Sequence, residues 1–308
     1  MKTNRRTFLK QIGALSLAFT CDPLNAIANK HVKANTLSRR ITILHTNDVH
    51  SHIDPIQADN IGNIHIGGFA RRKTYIDIVR NEVDNLLVLE CGDMFQGTPY
   101  FNIYKGKLEI ELMNKMGIDA VTIGNHEFDN GLDELYKRIK EANFPFLNAN
   151  YDFKDHKIAS VVKPYKVFEK TNIKVGVFGL GIKLDGLVSQ SNYGQTAYYD
   201  PIESANKIAN ELRNMGCDII IAITHIGYQM TDLPDDISLA QNSEDIDIIL
   251  GGHTHTLLSQ PTEIINRKGK VVLINQVGFG GINIGRIDIE LNTENKITSR
   301  STLSTLIC

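Results

Sequence analysis

The chain has 308 residues, of which 42% are hydrophobic and 22% are charged, and its formal net charge is −2. This length and composition suit a globular protein with one large domain or two small ones, and they exclude a low-complexity or repeat protein. Because the net charge is small and no basic run with interleaved aromatic residues occurs, we predict no nucleic acid polymer as a partner.

The first residues of the chain have the pattern of an export signal. A basic segment with adjacent arginines, Arg5 and Arg6, precedes an apolar run at residues 12–19, which is shorter than the ~20 residues that span a bilayer. Small residues at Ala26 and Ala28 then give a cleavage pattern. The paired arginines resemble a twin-arginine signal, a class that exports folded proteins.

We therefore predict a signal peptide over residues 1–28, a polar linker over residues 29–39 and a folded domain over residues 40–308. The predicted location is periplasmic or secreted, and no transmembrane span is expected. Two alternatives remain open for the first segment. It could be a basic amphipathic helix of the domain, or the chain could be a lipoprotein anchored through Cys21, although the residues before Cys21 are a poor context for lipidation.

The first half of the chain alternates apolar strand-like runs with helical patterns. The predicted strands cover residues 41–46, 86–90, 120–123 and 146–147. The predicted helices cover residues 67–81, 108–116 and 131–141. This alternation is typical of an α/β protein.

The second half of the chain has a different pattern, in which strands predominate. The predicted strands cover residues 161–169, 173–180, 219–224, 246–250, 262–266, 271–276 and 283–291, and the first two form a hairpin. One helix is predicted over residues 201–215, with Asp200 as its N-cap. Residues 181–199 are predicted to be a long loop, residues 226–243 an irregular segment, and the last residues a polar tail. The late strands predict a second sheet, and we see no domain boundary.

Polar side chains that bind metals follow five of the predicted strands. They are Asp48, His50, Asp93, Asn125, His225, His253 and His255. The carboxyl ends of strands in open α/β sheets are where ligands bind, and the i, i+2 spacing of Asp48 and His50 lets both side chains approach one ion. Imidazole, carboxylate and amide ligands together suit borderline divalent ions such as Zn, Mn, Fe or Co.

Seven candidate ligands are more than one site with open positions needs. Two metals that share a bridging carboxylate, ~3.5–4 Å apart, fit this number better and are typical of phosphoryl transfer. Thiolate sites, zincins, P-loops and nucleophile elbows are excluded, because their motifs do not occur in the sequence. We interpret His45, His52 and His65 as structural or surface residues, and Cys91 and Cys217 as small core residues.

These residues resemble those of a known family, the calcineurin-like metallophosphoesterases, and within it the catalytic domain of bacterial periplasmic 5'-nucleotidases. The matching segments, in the family's order, are residues 44–50, 92–98, 124–129, 224–225 and 252–255. The resemblance covers residues 40–292 and implies a four-layer αββα sandwich, with two mixed sheets flanked by helices. Residues 40–308 would then be the catalytic domain.

The resemblance also implies a role for each site residue. The implied ligands of the first metal are Asp48, His50 and His255. The implied ligands of the second metal are Asn125, His225 and His253. Asp93 would bridge the two metals, and His126 would face the substrate as a general acid whose orientation is set by Asp129.

The implied activity is an exported 5'-nucleotidase of nucleotide catabolism that acts on a small phosphate ester through a metal-activated hydroxide. Alternatives within the same core are a 2',3'-cyclic-nucleotide phosphodiesterase, a nucleotide-sugar pyrophosphatase and a thiosulfohydrolase-like relative. Another alternative is a catalytic subunit that depends on a separate chain.

Two-domain members of the family have a C-terminal domain with aromatic residues that stack on the nucleobase, whereas this sequence ends at Cys308 and contains no Trp. We therefore expect a separate substrate-binding protein as a candidate partner. Within the chain, the loop at residues 181–199 is the aromatic-rich stretch that could substitute, through Tyr193, Tyr198 and Tyr199. The alternative for this loop is an ordinary surface loop.

Overall fold

The computed structural model describes residues 39–58, 64–294 and 296–308. The predicted signal peptide, Cys21, and all of the predicted linker except Arg39 therefore lie outside the described residues. None of the helices in the described part of the chain is long and apolar enough to cross a membrane.

The strands and helices of the described residues follow the predicted order closely. The strands are β1 Arg39–Thr46, β2 Ile56–Gln57, β3 His65–Ile66, β4 Leu86–Glu90, β5 Ala120–Thr122, β6 Phe146–Leu147, β7 Tyr151–Asp152, β8 Tyr165–Lys170, β9 Ile173–Gly181, β10 Ala197–Tyr198, β11 Ile219–His225, β12 Ile248–Leu250, β13 Thr262–Ile265, β14 Val271–Asn275, β15 Asn283–Leu291 and β16 Ile297–Leu306. The α-helices are α1 Phe69–Glu82, α2 Pro99–Tyr104, α3 Lys107–Met116, α4 Gly131–Glu141, α5 Gln190–Tyr193, α6 Pro201–Asn214 and α7 Asp236–Asn242. Short 3-10 helices cover His126–Phe128 and Lys157–Ser160.

Two six-stranded mixed sheets form the centre of the protein. The first has the strand order β16-β15-β1-β4-β5-β6, and the second has the order β13-β14-β12-β11-β9-β8. Each contains four adjacent parallel strands, which are β1, β4, β5 and β6 in the first sheet and β14, β12, β11 and β9 in the second. Antiparallel pairing of β15 with β1, β8 with β9 and β13 with β14 makes both sheets mixed.

The parallel strands are apolar on both faces, because each sheet is covered on both sides. In β1, Ile41 and Ile43 pack between the two sheets, while Leu44 packs against helices on the outer face. In β11, Ile221 packs between the sheets and Ile220 on the opposite face. This alternation follows from the two-residue period of a strand, and it explains why these strands read as continuous apolar runs.

Helices cover the outer face of each sheet and complete four layers. The helices α1, α3 and α4 pack on the first sheet, where Met113 and Met116 of α3 are core residues. The helices α6 and α7 pack on the second sheet. Asp200 caps α6 as predicted, since its carboxylate accepts hydrogen bonds from the backbone N–H groups of Ile202 and Glu203. The predicted αββα sandwich is confirmed.

Two predictions about irregular segments were wrong. The segment at residues 226–243 contains α7, which begins in a capping box where Asp235 and Ser238 bond each other's backbone N–H groups. A serine replaces the usual Glu or Gln of that motif, so the signal was weak. The predicted polar tail contains β16, an edge strand that pairs with β15 through its backbone and leaves most side chains exposed. Such a strand needs no apolar alternation.

Other boundaries differ from the prediction by smaller amounts. The loop at residues 181–199 contains the short elements α5 and β10. The first strand of the predicted hairpin starts at Tyr165 and not at residue 161, and a 3-10 turn at residues 157–160 precedes it. Cys91 and Cys217 are buried, as predicted.

His45 of β1 gives the fold a pH-dependent term. Its ring is buried, and Asn275 Nδ2 lies 3.0 Å from Nε2. Burial favours the neutral imidazole and lowers the pKa of His45 to about 3. In the unfolded chain a histidine takes up a proton near pH ~6.5, so the unfolded state binds more protons below that pH. The contribution of His45 to stability is therefore fully present above pH ~6.5 and is lost as the pH falls towards about 3.

We expect His45→Gln to flatten this dependence. Between pH 6 and pH 4 the free energy of unfolding of the parent protein should fall more steeply than that of the variant, by about 1 kcal/mol per pH unit. Urea unfolding at each pH in the presence of a chelator measures the two slopes without a contribution from metal release. The control is His65→Gln in exposed β3, which should keep the parent slope. Equal slopes for His45→Gln and the parent would contradict this account.

Candidate metal centre

The predicted metal-binding residues come together at one end of both sheets. Each lies at or just after the carboxyl end of one of the parallel strands β1, β4, β5, β11 and β12. In the described part of the chain, two groups of residues have ligand atoms that all lie within 4.8 Å of one another. These groups are Asp48, His50 and His255, and Asp93, His225 and His253.

Two carboxylates lie between the groups. Asp93 Oδ2 is 3.0 Å from His225 Nε2 and 3.9 Å from His50 Nε2. Asp48 Oδ1 is 3.4 Å from His255 Nε2 and 3.7 Å from His225 Nε2. Each carboxylate therefore faces imidazoles of both groups, so that two ions held here would be close neighbours.

The amide of Asn125 lies at the edge of the second group. Its Oδ1 is 3.0 Å from His253 Nδ1. An amide oxygen and an imidazole nitrogen can both serve as ligands of a borderline divalent ion. All seven predicted ligands are thus brought together.

The donor set fits a divalent cation. His50 and His255 turn their Nε2 atoms towards each other at 3.0 Å, an arrangement in which two lone pairs can share a cation. The carbonyl of Cys91 lies 2.7 Å from His225 Nδ1, so this nitrogen carries the proton and Nε2 faces Asp93. Burial favours the neutral imidazole of His225, but Asp93 and Asp48 outweigh it and raise the pKa of His225 to about 10. The carboxylates therefore attract positive charge at this point.

Five of the seven residues have left-handed backbone conformations. They are Asp48, His50, Asp93, His253 and His255, with φ of 50°, 48°, 52°, 76° and 53°. For a residue other than glycine this conformation costs of order 1 kcal/mol or more, and it persists where surrounding contacts impose it. Here the backbone N–H groups of Asp48 and His50 donate to the carbonyls of Gly92 and Asp93, each at 3.0 Å. Strained turns of this kind are typical of functional sites.

Gly92 allows the loops to approach closely. Its φ is 84°, and a Cβ there would lie 2.8 Å from both His225 Nδ1 and the backbone nitrogen of Gly124. Any side chain would therefore displace a proposed ligand and the loop after β5.

Glu127 fixes two of these loops, a role that was not predicted from the sequence. Its buried carboxylate accepts hydrogen bonds from four backbone N–H groups. The donors are Asp93, Met94, Phe95 and Gly124. Since Glu127 lies inside the matching segment at residues 124–129, its position there was the available signal.

Asn47 holds a further loop against the site and was also missed. Its Nδ2 donates to Asp48 Oδ2 and to the carbonyl of Gly278, both at 2.6 Å, and its Oδ1 accepts from Val277 N at 2.9 Å. The loop after β14 is thereby joined to the loop after β1. Nothing in the local sequence of that loop indicated this proximity.

His126 stands beside the two groups and belongs to neither. Its Nδ1 is 2.8 Å from Asp129 Oδ2, and its backbone N–H donates to Asp93 Oδ1 at 2.9 Å. The hydrogen bond to Asp129 is the main reason why the pKa of His126 is raised above its ordinary value. With Nδ1 bound by Asp129, Nε2 is the ring nitrogen that remains for a ligand in the cleft.

A cleft of about 400 Å³ opens over the site. Its lining residues are His50, His52, Asp93, Gln96, Gly97, Asn125, His126, His253, His255 and Phe279. The interpretation of His52 as only a structural or surface residue was therefore incomplete. Its side chain is brought here by the turn that follows β1.

The tyrosines of the loop at residues 181–199 do not appear among the described residues that line this cleft. Tyr193 packs against the core, and the ring of Tyr198 lies 6.3 Å from that of Tyr151. Tyr199 is 50% exposed and lines a different cleft, beside α6. The interpretation of an ordinary surface loop fits these positions.

Comparison with known proteins agrees with this geometry. A family model described as calcineurin-like phosphoesterase matches residues 41–257. The chain belongs to the calcineurin-like phosphoesterases. The predicted family is thereby confirmed, and the match supports the predicted class of a metal-dependent phosphoester hydrolase.

Relatives of this phosphoesterase include proteins named as 5'-nucleotidases. The snake venom 5'-nucleotidase of Naja atra is 33% identical over 284 residues, which are 86% of this chain and 53% of the relative. The solved structure of a 5'-nucleotidase precursor from Thermus thermophilus is 32% identical with a TM-score of 0.81, and the match covers 87% of this chain and 54% of that one. The chain spans about half the length of the curated relatives it matches.

A bacterial relative matches over most of its solved length. The calcineurin-like phosphoesterase YfkN from Bacillus subtilis is 26% identical with a TM-score of 0.70, and the match covers 88% of this phosphoesterase and 91% of that chain. The four-layer arrangement is therefore common to this chain and its solved relatives.

Proposed function

We propose that this phosphoesterase is an exported 5'-nucleotidase with two divalent metal ions, which releases phosphate from nucleoside 5'-monophosphates. The observation that carries the proposal is the joined cluster of seven ligand residues beside the His126–Asp129 pair, in one open cleft. The relatives named as 5'-nucleotidases support the choice of substrate.

Each ligand has a proposed place. One ion would be held by Asp48, His50 and His255, and the other by Asn125, His225 and His253. Asp93 would bridge them, and its position between the imidazoles of His225 and His50 supports this role. When bound, the two ions would supply a hydroxide nucleophile at neutral pH and neutralise charge on the phosphate oxygens. Zn, Mn, Fe and Co all suit these ligands.

The chain's own residues would then orient the reaction. The left-handed turns and the bonds of Glu127 fix the ligands before substrate arrives, so little reorganisation is needed during turnover. His126 lies in the cleft beside Asp93 and would donate the proton of Nε2 to the leaving oxygen. Asp129 would hold the imidazole in the required tautomer and favour its protonated form.

Chromatography of the products formed by the purified full-length protein tests the proposal. The protein would be loaded with Mn or Zn and given AMP, ribose 5-phosphate, 2',3'-cyclic AMP and a nucleotide sugar. We expect AMP to be hydrolysed fastest. The panel includes the last two esters because a 31% identical relative from Bacillus subtilis is named a trifunctional nucleotide phosphoesterase. Preferred hydrolysis of either one would replace the proposed activity by that of a phosphodiesterase or a pyrophosphatase.

The same assay tests dependence on a separate chain. A protein that holds two ions and hydrolyses none of these compounds would not be an enzyme on its own. Recovery of activity with a copurifying chain would then identify a catalytic subunit that needs a substrate-binding partner.

The proposal of export rests on residues 1–28, which lie outside the described residues. We expect the double substitution Arg5→Lys and Arg6→Lys to retain the full-length protein in the cytoplasm of a bacterium that has the twin-arginine pathway, because that pathway reads the arginine pair. Cell fractionation measures the distribution. The chain offers a matched control in Arg39→Lys and Arg40→Lys, a second arginine pair at the start of β1, which should leave export unchanged. Export of the variant with both signal arginines replaced would rule out the twin-arginine signal.

A further inference from the structure

An aromatic side chain stands at the rim of the cleft without a role in metal binding. Phe279 lies in the loop between β14 and β15, lines the cleft and keeps 41% of its surface exposed. Its ring stacks on that of His255, with centroids 5.4 Å apart and 14° between the ring planes. It also meets the ring of His52 edge-to-face at 6.1 Å. Two imidazoles therefore support a phenyl ring that remains accessible from the cleft.

The loop that carries Phe279 is fixed on both sides. The carbonyl of Gly278 accepts a hydrogen bond from Asn47 Nδ2 at 2.6 Å, and the N–H of Gly280 donates to the carbonyl of Asp48 at 2.7 Å. Gly278 and Gly280 have φ of 82° and 66°, which glycine adopts without strain. Phe279 is thus held on a rigid turn attached to a proposed metal ligand. Such preorganisation lowers the entropy cost of binding a ligand.

Four rings follow one another across the cleft. From His126 through His50 and His255 to Phe279, the successive centroids are 5.4, 4.9 and 5.4 Å apart. A phosphate held between the two ligand groups would lie one imidazole ring away from Phe279. In a nucleoside 5'-monophosphate, a ribose of comparable size separates the phosphate from the planar base. The base can therefore reach the phenyl ring while the phosphate stays over the metal centre.

We propose that Phe279, supported by His52, is the stacking surface for the base of the leaving nucleoside. This inference rests on the proposed function and adds to it the residue that selects the leaving group. Stacking on an aromatic ring tolerates every base, because each base has a π-face. The surface should therefore distinguish nucleotides from sugar phosphates while it discriminates little among the bases.

A pair of esters that differ only in the base tests the proposal. The values of kcat/KM for AMP and ribose 5-phosphate would be measured for the parent, Phe279→Ala and Phe279→Trp, each as the full-length protein with Mn. We expect Phe279→Ala to lower the ratio of the two values, AMP over ribose 5-phosphate, by about tenfold, the weight of one base–aromatic stack. Phe279→Trp should restore the ratio. The control is Tyr199→Ala, an exposed aromatic residue away from the cleft, which should keep it.

The outcomes separate this proposal from the proposed function. An equal loss on both esters in Phe279→Ala would overturn the stacking surface and assign Phe279 to the support of His255, while phosphate release by the parent would still stand. If the parent released no phosphate from either ester, the proposed function would fail. Calorimetric affinities for AMP and ribose 5-phosphate would then test whether Phe279 is a stacking surface. A tenfold weaker AMP affinity in Phe279→Ala would support the stacking surface, and an unchanged affinity would overturn it.

Discussion

Asp93→Ala is expected to lower the metal content of the purified protein from two ions per chain to fewer than one and to reduce phosphate release to the uncatalysed background. Asp93 Oδ2 faces His225 at 3.0 Å and His50 at 3.9 Å, so its loss would remove a shared ligand from both proposed ions. The imidazoles would then face one another with less negative charge between them, which disfavours a second cation.

The residues around Asp93 favour its ionised carboxylate. Burial disfavours its ionised carboxylate, but the neighbouring imidazoles of His225, His126 and His50 outweigh burial and hold the pKa of Asp93 below its ordinary value. Asp93→Asn keeps the shape of the side chain and an oxygen that can accept from His126 N, yet removes the charge. We therefore expect Asp93→Asn to lose metal nearly as completely as Asp93→Ala.

Elemental analysis after dialysis against limiting Mn measures the ion content, and phosphate release from AMP measures activity. The control is Asp77→Ala, on an exposed part of α1 where the aspartate pairs with Lys73 and Arg80, and it should keep both properties. Loss of one ion only in Asp93→Ala would assign the bridge to Asp48, whose Oδ1 also faces both groups. Retention of both ions would refute the ligand assignment.

The sequence predicted this end of the sheets well, because two signals coincided there. Strands buried on both faces are mostly apolar runs, and polar residues mark their ends, such as Asp93 shortly after β4 and His225 as the last residue of β11. The carboxyl ends of parallel strands lie at one edge of a sheet, so residues at these strand ends could be expected to lie close together. The contact of His126 with Asp129, inside one loop, was implied by the resemblance to the family.

The residues that hold the site in place were much harder to predict from the sequence. Glu127 bonds backbone groups after β4 and β5, and Asn47 bonds the loop after β14, so their roles depend on contacts distant in sequence. Phe279 was overlooked because its position in the cleft also depends on contacts distant in sequence. In the sequence it is only one aromatic residue in a glycine-rich loop. The aromatic-rich segment at residues 181–199 was named as a possible substitute, with an ordinary surface loop as the alternative. Composition therefore pointed to a segment that contributes nothing to the described lining of the cleft.

Edge elements were missed for a different reason. The strand β16 is bound to β15 by backbone hydrogen bonds, and most of its side chains face solvent, so its sequence is polar. The helix α7 is short, and a serine completes its capping box. For β16 the main stabilising interactions belong to the backbone, and the start of α7 is marked by its cap, neither of which an apolar pattern reports.

His126→Ala is expected to keep both metal ions and to lower the turnover of AMP by roughly 10²–10⁴-fold, the usual weight of acid–base catalysis. His126 belongs to neither group of candidate ligands. Its hydrogen bond to Asp93 is donated by its backbone N–H, which alanine retains. This variant should therefore lose turnover and keep its metal content, whereas Asp93→Ala should lose both.

The leaving group distinguishes proton donation from a merely structural effect. A nucleoside leaves as an alkoxide that needs a proton, whereas 4-nitrophenol leaves readily as an anion. If His126 supplies that proton, His126→Ala should lose at least tenfold less activity on 4-nitrophenyl phosphate than on AMP. Asp129→Asn should show the same selectivity with a smaller loss, since it disturbs the tautomer and orientation of His126 while it leaves the imidazole in place.

Steady-state kinetics on the two esters, with elemental analysis of each variant, provide these measurements. The control is His65→Ala, in exposed β3, which should match the parent on both esters. Loss of metal in His126→Ala would show that this residue is a ligand, and equal losses on the two esters would show that it does not protonate the leaving group. Because Asp129 raises the pKa of His126, the imidazolium persists to higher pH than that of an ordinary histidine. A proton would thus be available at a pH where bound metal ions would supply a hydroxide nucleophile, and hydrolysis of an alkyl phosphate requires both.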